Sequence, residues 1–145
     1  MIRLYTVAGA ALEGLIMLDP SNAYTLAKKY STDARGKLGT LVAQILFIRG
    51  TADDFDFLFN EYKNETSGDD KILLSTLFAN YLTKISDAEK VRSAIDMIVA
   101  YHNTLPAEYK GYYSPAFKNA FNKLSKAKRD EGNKELADYI SGLLK

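Results

Sequence analysis

The sequence predicts an all-α protein of about eight helices, and three observations carry this prediction. Apolar residues recur at three- and four-residue spacing along most of the chain, which is the pattern of amphipathic helices. No segment of the sequence alternates apolar and polar residues for long enough to suggest a strand. Glycine, proline and helix-capping residues fall between the apolar stripes and mark where helices begin and end.

The first four predicted helices lie in the first half of the chain. Asp19 and Pro20 end the first helix and begin the second, as an N-cap and a first helical residue. Gly50 ends the third helix, and Thr51-Ala52-Asp53-Asp54 resembles a capping box before the fourth. The predicted inward positions of these helices are Leu4, Val7, Ala8, Ala11, Leu12, Leu15 and Leu18; Ala23, Leu26, Ala27 and Tyr30; Leu38, Leu41, Val42, Ile45 and Leu46; and Phe55, Leu58, Phe59 and Tyr62.

The last four predicted helices follow the polar segment Ser67-Gly68-Asp69-Asp70. Ser86-Asp87-Ala88-Glu89 matches the capping box S-x-x-E before the sixth helix, and Ser114-Pro115 is predicted to cap the seventh. The predicted inward positions are Leu74, Leu77, Phe78, Tyr81, Leu82 and Ile85; Val91, Ala94, Ile95, Ile98 and Val99; Phe117, Ala120, Phe121 and Leu124; and Leu136, Ile140, Leu143 and Leu144.

The helices group into pairs that begin near residues 4, 35, 69 and 113. These offsets are near the repeat lengths of helical-repeat proteins, roughly 34–47 residues, and short connections make paired helices antiparallel. We therefore predict one domain over residues 1–145, built as stacked antiparallel helical hairpins, an α-solenoid fragment. A closed orthogonal bundle of the same helices is the alternative.

Composition restricts the kind of site the chain can carry. The 145 residues are 47% hydrophobic and 26% charged, with a net charge of +1, which is typical of one globular domain and implies no strongly charged partner. The absence of cysteine excludes disulfides, thiolate metal sites and cysteine nucleophiles. No apolar run approaches the roughly 20 residues of a membrane span, so no membrane partner is predicted.

The segment from Tyr101 to Pro115 holds the only histidine, two of the three prolines and four of the ten tyrosines. His102 continues the sixth apolar stripe near the end of that helix, where it packs or complements the helix dipole. A zinc site needs three or four ligands, and no second histidine or any cysteine exists, so we predict no catalytic or metal residue in this chain.

Residues 103–114 are predicted to be the longest joint between helices, and hence the place for a functional loop. Its Tyr109, Tyr112 and Tyr113 are the candidate contact surface, since tyrosine buries much area at little entropic cost. The alternative is that these rings pin the loop to its own helices.

Two charged clusters have simple explanations. Asp53, Asp54 and Asp56 lack the spacing of a calcium loop, and they suit the positive end of a helix dipole. The late helix is basic, but acidic residues follow at once, so a solvated face is favoured over a nucleic-acid surface and no nucleic-acid partner is predicted. The basic residues are Lys118, Lys123, Lys126, Lys128 and Arg129.

Three segments carry a family resemblance: ALEGLIMLDPSNAYTLAKKY, FIRGTADDFDFLFNEYKN and LSKAKRDEGNKELADYI. Together they resemble the C-terminal helical domain of bacterial zinc aminopeptidases of the aminopeptidase N type. The similar features are Leu26-Ala27-Lys28, Gly50 before Asp54-Phe55-Asp56-Phe57, and Leu124-Ser125 with Gly132-Asn133 before the final helix.

The resemblance implies a noncatalytic domain of HEAT-like hairpins that packs on the catalytic domain of a parent peptidase and shapes peptide access to it. The partners it implies are that catalytic domain and, indirectly, peptide substrates. The family's H-E-x-x-H and further glutamate ligand match no position here, so the implied zinc belongs to a separate catalytic domain. The alternative function is a free-standing helical-repeat module that binds another protein. The compartment, cytoplasmic or periplasmic, and whether the chain is excised or separately encoded stay open.

Overall fold

The computed structural model describes the backbone of residues 2–30, 41–66 and 68–143, and the side chains in these ranges except those of residues 2–9, 30 and 111–114. The described part is all-α, as predicted, and contains no strand. Its helices are α1 (Ile2–Leu18), α2 (Pro20–Tyr30), α3 (Leu41–Arg49), α4 (Phe55–Asn64), α5 (Gly68–Tyr81), α6 (Ala88–Thr104), α7 (Ala107–Asp130) and α8 (Lys134–Gly142). Short 3₁₀ helices at Ala52–Asp54 and Leu82–Lys84 precede α4 and follow α5.

The chain forms two compact units, Met1–Glu61 and Tyr62–Lys145, which are described separately below as the N-terminal and C-terminal units. The first contains α1 to α3 and most of α4, and the second contains the end of α4 and α5 to α8. The single domain and the solenoid stack remain predictions.

In the N-terminal unit, α2 packs against both α1 and α3. Small residues make this close packing possible, because Ala23 and Ala27 of α2 are fully buried. Helix α3 is buried on more than one side, since Ala43 and Phe47 are buried beside its main stripe. Residues buried as predicted in this unit are Leu12, Ala23, Ala27, Val42, Ile45, Leu46, Phe55 and Leu58.

The predicted inward stripe of α1 is wrong at two positions. Leu18 is 87% exposed, and Ala11 is also exposed. Leu18 is the last residue of α1, and Asp19 turns the chain into α2 there by accepting the Asn22 N–H. The side chain of Leu18 therefore falls beyond the surface that α2 covers. The predicted inward positions Leu4, Val7, Ala8, Tyr30, Leu38 and Leu144 lie outside the described side chains.

In the C-terminal unit, α7 is the central helix and packs against α5 and α8. The inward stripes of α5 to α8 are confirmed at most positions, except that Leu77, Val99 and Leu143 are only half-buried. Residues buried as predicted are Tyr62, Leu74, Phe78, Tyr81, Leu82, Ile85, Val91, Ala94, Ile95, Ile98, Phe117, Ala120, Phe121, Leu124, Leu136 and Ile140.

Helix α7 begins earlier than predicted. The connection after α6 consists of Leu105 and Pro106 alone, and Pro115 lies inside α7 instead of starting it. An interior proline costs about 3 kcal/mol, which is why the sequence pattern favoured a start at Ser114. Pro106 provides an earlier start, because its carbonyl accepts the N–H groups of Tyr109 and Lys110. The predicted loop over residues 103–114 is therefore wrong.

The structure identifies the capping residues at the start of α6 and at the end of α7. Asp87, and not the predicted Ser86, is the N-cap of α6, and its carboxylate accepts the N–H groups of Glu89 and Lys90. The turn between α7 and α8 has the hydrogen bonds of a Schellman motif, from the Gly132 N–H to the Arg129 carbonyl and from the Asn133 N–H to the Lys128 carbonyl. Gly132 has φ of 89°, the left-handed conformation that this motif requires at its glycine.

Candidate functional site

The predicted tyrosine contact surface lies on a helix and not on a loop. Positions 109, 112 and 113 belong to α7, and their spacing of three and four residues places them on one helical face. Tyr109 is 40% exposed. The side chains of Tyr112 and Tyr113 lie outside the described part, so the contact surface stays a prediction, now for a helix face.

His102 packs against another helix, which is one of the two roles predicted for it. Its imidazole is half-buried and stacks on the Phe117 ring, with ring centroids 4.3 Å apart and planes within 5°. Burial lowers the pKa of His102, and the nearby Lys110 cation lowers it further. The histidine joins α6 to α7 through an aromatic contact.

A connected polar cluster of the N-terminal unit surrounds the buried carboxylate of Asp54. We call Asp54 with Tyr24, Lys28 and the Thr51 N–H the Asp54 centre. The Tyr24 hydroxyl and the Thr51 N–H each donate to Oδ2 at 2.9 Å, and Lys28 Nζ lies 3.0 Å from Oδ1. This arrangement includes the predicted capping box between Thr51 and Asp54.

The electrostatics of the Asp54 centre favour a fixed anion. Burial alone would raise the pKa of the Asp54 carboxyl, but the Thr51 N–H, Lys28 and Tyr24 outweigh burial and hold the pKa below its usual value. The same contact with Asp54 raises the pKa of Lys28. Both oxygens are occupied by donors from the unit itself, so the centre fixes α2 against the start of α4.

A groove and a small cavity adjoin the Asp54 centre. The groove has a volume of about 290 Å³ and is lined by Pro20, Ser21, Tyr24, Thr25 and Arg49. The cavity, of about 80 Å³, shares Pro20 and Arg49 with the groove and is otherwise lined mainly by apolar residues. We call the two together the Arg49 groove.

Large apolar side chains are exposed next to the Arg49 groove. Ile48 lines the cavity and is 51% exposed, and Met17, which follows the cavity-lining Ile16 in sequence, is 85% exposed. Leu18, the last residue of α1, is 87% exposed, and we call the three exposed side chains the apolar patch: Met17, Leu18 and Ile48. Sequence reasoning missed the patch because Leu18 continues the apolar stripe of α1, which predicts an inward side chain. The signal in the sequence is that Ile48 does not belong to the apolar stripe of α3.

In the C-terminal unit, the predicted solvated basic face of α7 is wrong at one position. Lys128 is 1% exposed, and its ammonium donates to the Ile85 carbonyl and lies 3.2 Å from Glu131. Lys126 pairs with Asp130, and Arg129 pairs with Asp138. Lys128 could not be recognised from the sequence because its acceptor is a backbone carbonyl of a distant segment.

A second lysine of this unit is enclosed by aromatic rings. Lys71 Nζ lies 4.9 Å from the ring centroid of Tyr62 and 5.1 Å from that of Tyr101, distances typical of cation–π contacts. Burial lowers the pKa of Lys71, and the negative charge of Glu65 offsets part of this lowering. The Tyr101 hydroxyl donates to the Gly68 carbonyl at 3.2 Å, so this cluster ties α6 to the start of α5.

An open groove of about 300 Å³ lies where α6 and α8 begin. Arg92 crosses it, with its guanidinium carbon 4.3 Å from the Tyr139 ring centroid and 3.8 Å between its nitrogen and Glu135. Tyr139 in turn donates to Asp96. Each charged group named here already has a partner, which is an opposite charge, an aromatic ring or a hydroxyl, and this indicates a contact between helices.

The described residues include no group of three or more His, Asp or Glu side chains arranged to hold a metal ion. None of the described helices has the length and apolar character that crossing a membrane requires.

Comparisons of the chain with protein-family models, curated proteins and solved structures gave no significant match. The Arg49 groove with the apolar patch is the candidate site, because it combines open space, a cation and exposed apolar side chains.

Proposed function

We propose that the chain is a noncatalytic, all-helical module that binds another protein through the apolar patch of its N-terminal unit. The observation that carries this proposal is the exposure of Ile48, which lines an open cavity, and of Met17 and Leu18, which follow the cavity-lining Ile16 in sequence. Fully burying one large aliphatic side chain is worth roughly 1.5–3 kcal/mol, so covering such a patch contributes substantially to an association. Several large exposed apolar side chains on one unit favour an interaction surface.

The resemblance favours one partner, the catalytic domain of a zinc aminopeptidase of the aminopeptidase N type. Its quoted segments include the patch, since the first contains Met17 and Leu18 and the second contains Ile48. In this proposal the module packs on the catalytic domain and shapes which peptides enter. The zinc belongs to the partner, because this chain has one histidine and no cysteine.

The test mixes the purified chain with a separately purified catalytic domain of this peptidase type and measures association by isothermal titration calorimetry. The double variant Met17→Gln/Leu18→Gln is expected to weaken association at least about tenfold, which corresponds to about 1.4 kcal/mol. Leu73→Gln is the matched control, because Leu73 is 44% exposed in the C-terminal unit. An unchanged melting temperature in each variant shows that the effect is on binding.

Two results would contradict the proposal. A complex that forms equally well with the double variant places the interface elsewhere, for example on the α7 face with Tyr109. No complex with the catalytic domain removes the peptidase version. Specific binding of another protein, lost in the double variant, would then support the free-standing interaction module.

A further inference from the structure

The Arg49 groove combines an apolar compartment with one cation. Six of the residues around the cavity are apolar: Ile16, Pro20, Ala23, Leu41, Ile45 and Ile48. The volume of the cavity, about 80 Å³, exceeds the roughly 10–15 Å³ that one water molecule requires and is below the roughly 150 Å³ of a cavity that holds benzene. A branched aliphatic side chain such as that of valine or leucine has this intermediate size.

Among the described residues, Arg49 is the only charged one that lines the groove or the cavity. Its side chain is exposed, and in the described part of the chain no carboxylate pairs with it. A guanidinium presents a planar fork of donors that matches a carboxylate in two parallel hydrogen bonds. The groove therefore complements an anion of this shape.

The carboxylates nearest to the groove in sequence already have hydrogen-bond partners of their own. The Asp54 carboxylate is held by Tyr24, Lys28 and the Thr51 N–H, and Asp19 is held by the backbone and side-chain amides of Asn22. Ser21, in the first turn of α2, also lines the groove, at the end of the helix where the dipole is positive.

Because Pro20 and Arg49 line both compartments, the apolar group and the anion of a ligand must lie close together. A C-terminal residue satisfies this requirement, since its side chain and its free carboxylate branch from the same Cα. We propose that the Arg49 groove binds the C-terminal carboxylate of a peptide that ends in valine, leucine or isoleucine. This inference rests on the proposed function and names the chemistry that a bound partner presents to the module.

The test follows backbone amide chemical shifts of the whole chain while a probe peptide, acetyl-Ala-Ala-Leu with a free C-terminus, is added. The expected shifts lie at Ser21, Thr25 and Arg49. The same peptide with a C-terminal amide is expected to bind at least tenfold more weakly, and so is acetyl-Ala-Ala-Asp amide, which carries its carboxylate on a side chain. Equal affinity for the acid and the amide would overturn the inference.

Arg49→Gln is expected to reduce the affinity for the acid to that for the amide, whereas Arg92→Gln, an arginine of the C-terminal unit, leaves it unchanged. Unchanged binding by Arg49→Gln, or shifts confined to the C-terminal unit, would also overturn the inference.

The double variant Met17→Gln/Leu18→Gln keeps every residue that lines the groove, so it separates the carboxylate site from the proposed protein interface. Peptide binding that persists in this variant while the protein complex is lost supports both. A protein complex without peptide binding leaves the proposed function and removes only the carboxylate site.

Discussion

At the scale of single residues, buried polar side chains hold elements of each unit together. Ser125 of α7 donates to the Ala137 carbonyl of α8, and the Tyr62 hydroxyl lies 2.8 Å from the Ser75 hydroxyl of α5. Among the described side chains, no buried nitrogen or oxygen lacks a hydrogen-bond partner. Since an unsatisfied buried polar group costs roughly 1–3 kcal/mol, each of these contacts disfavours any packing that would break it.

Lys128 permits a quantitative test of this idea. Lys128→Met keeps most of the apolar stem but removes the donor to the Ile85 carbonyl, so we expect a loss of about 1–3 kcal/mol in the free energy of unfolding. Urea denaturation followed by circular dichroism measures it. Lys123→Met, at an exposed position of the same helix, is expected to change stability by less than about 0.5 kcal/mol. Equal midpoints for the two variants would show that the buried ammonium contributes no net stability.

His102 should make stability depend on pH in a defined direction. Burial lowers the folded-state pKa of His102 below the unfolded value of 6.5, so the folded state binds fewer protons. The contribution is complete above pH 6.5 and is lost as pH falls from there through the folded pKa. His102→Gln should flatten the melting temperature between about pH 7 and pH 5, because ordinary carboxyl groups titrate near pH 4. A variant with the same pH profile as the parent chain would contradict this assignment.

At the scale of elements, glycine positions separate tight packing from open surface. A Cβ added at Gly50 would lie 2.2 Å from the Leu46 carbonyl oxygen and 3.1 Å from Asp54 Oδ2. At Gly14 of α1, no described atom beyond the adjacent backbone of the helix itself lies within 4 Å of such a Cβ. A side chain is therefore excluded at Gly50, whereas Gly14 has room for one.

Alanine substitution tests both positions. Gly50→Ala is expected to destabilise by about 1–3 kcal/mol, as other overpacking changes do. Gly14→Ala is expected to stabilise by about 0.5–1 kcal/mol, because alanine loses less backbone entropy in a helix. Chemical denaturation compares them directly, and a stabilising Gly50→Ala would show that α3 ends differently.

The elements also show how far sequence reasoning reaches. Apolar period and local caps predicted where most helices lie, including the Asp19–Pro20 junction and the Thr51 capping box. The start of α7 was missed because two prolines offered two possible starts, and local rules cannot weigh them. The Arg49 groove was missed for another reason: it is built from helix surfaces that meet only after folding.

At the scale of the whole molecule, the chain has few of the histidine and cysteine ligands that zinc sites use. It has one histidine and no cysteine, and that histidine stacks on Phe117. We expect the purified chain to retain no stoichiometric zinc after dialysis and to leave an aminoacyl anilide unhydrolysed. Elemental analysis and a colorimetric assay measure the two. Retained zinc together with hydrolysis would contradict the noncatalytic proposal.

The tyrosine contacts give the molecule built-in optical reporters, since the chain has ten tyrosines and no tryptophan. In the N-terminal unit, burial and the hydrogen bond to Asp54 raise the pKa of Tyr24. In the C-terminal unit, burial raises the pKa of Tyr62, and the hydrogen bond to Asp96 raises that of Tyr139. Alkaline titration followed by ultraviolet absorbance therefore meets resistant phenols in both units. Loss of structure in either unit becomes visible as early ionisation, without any added label.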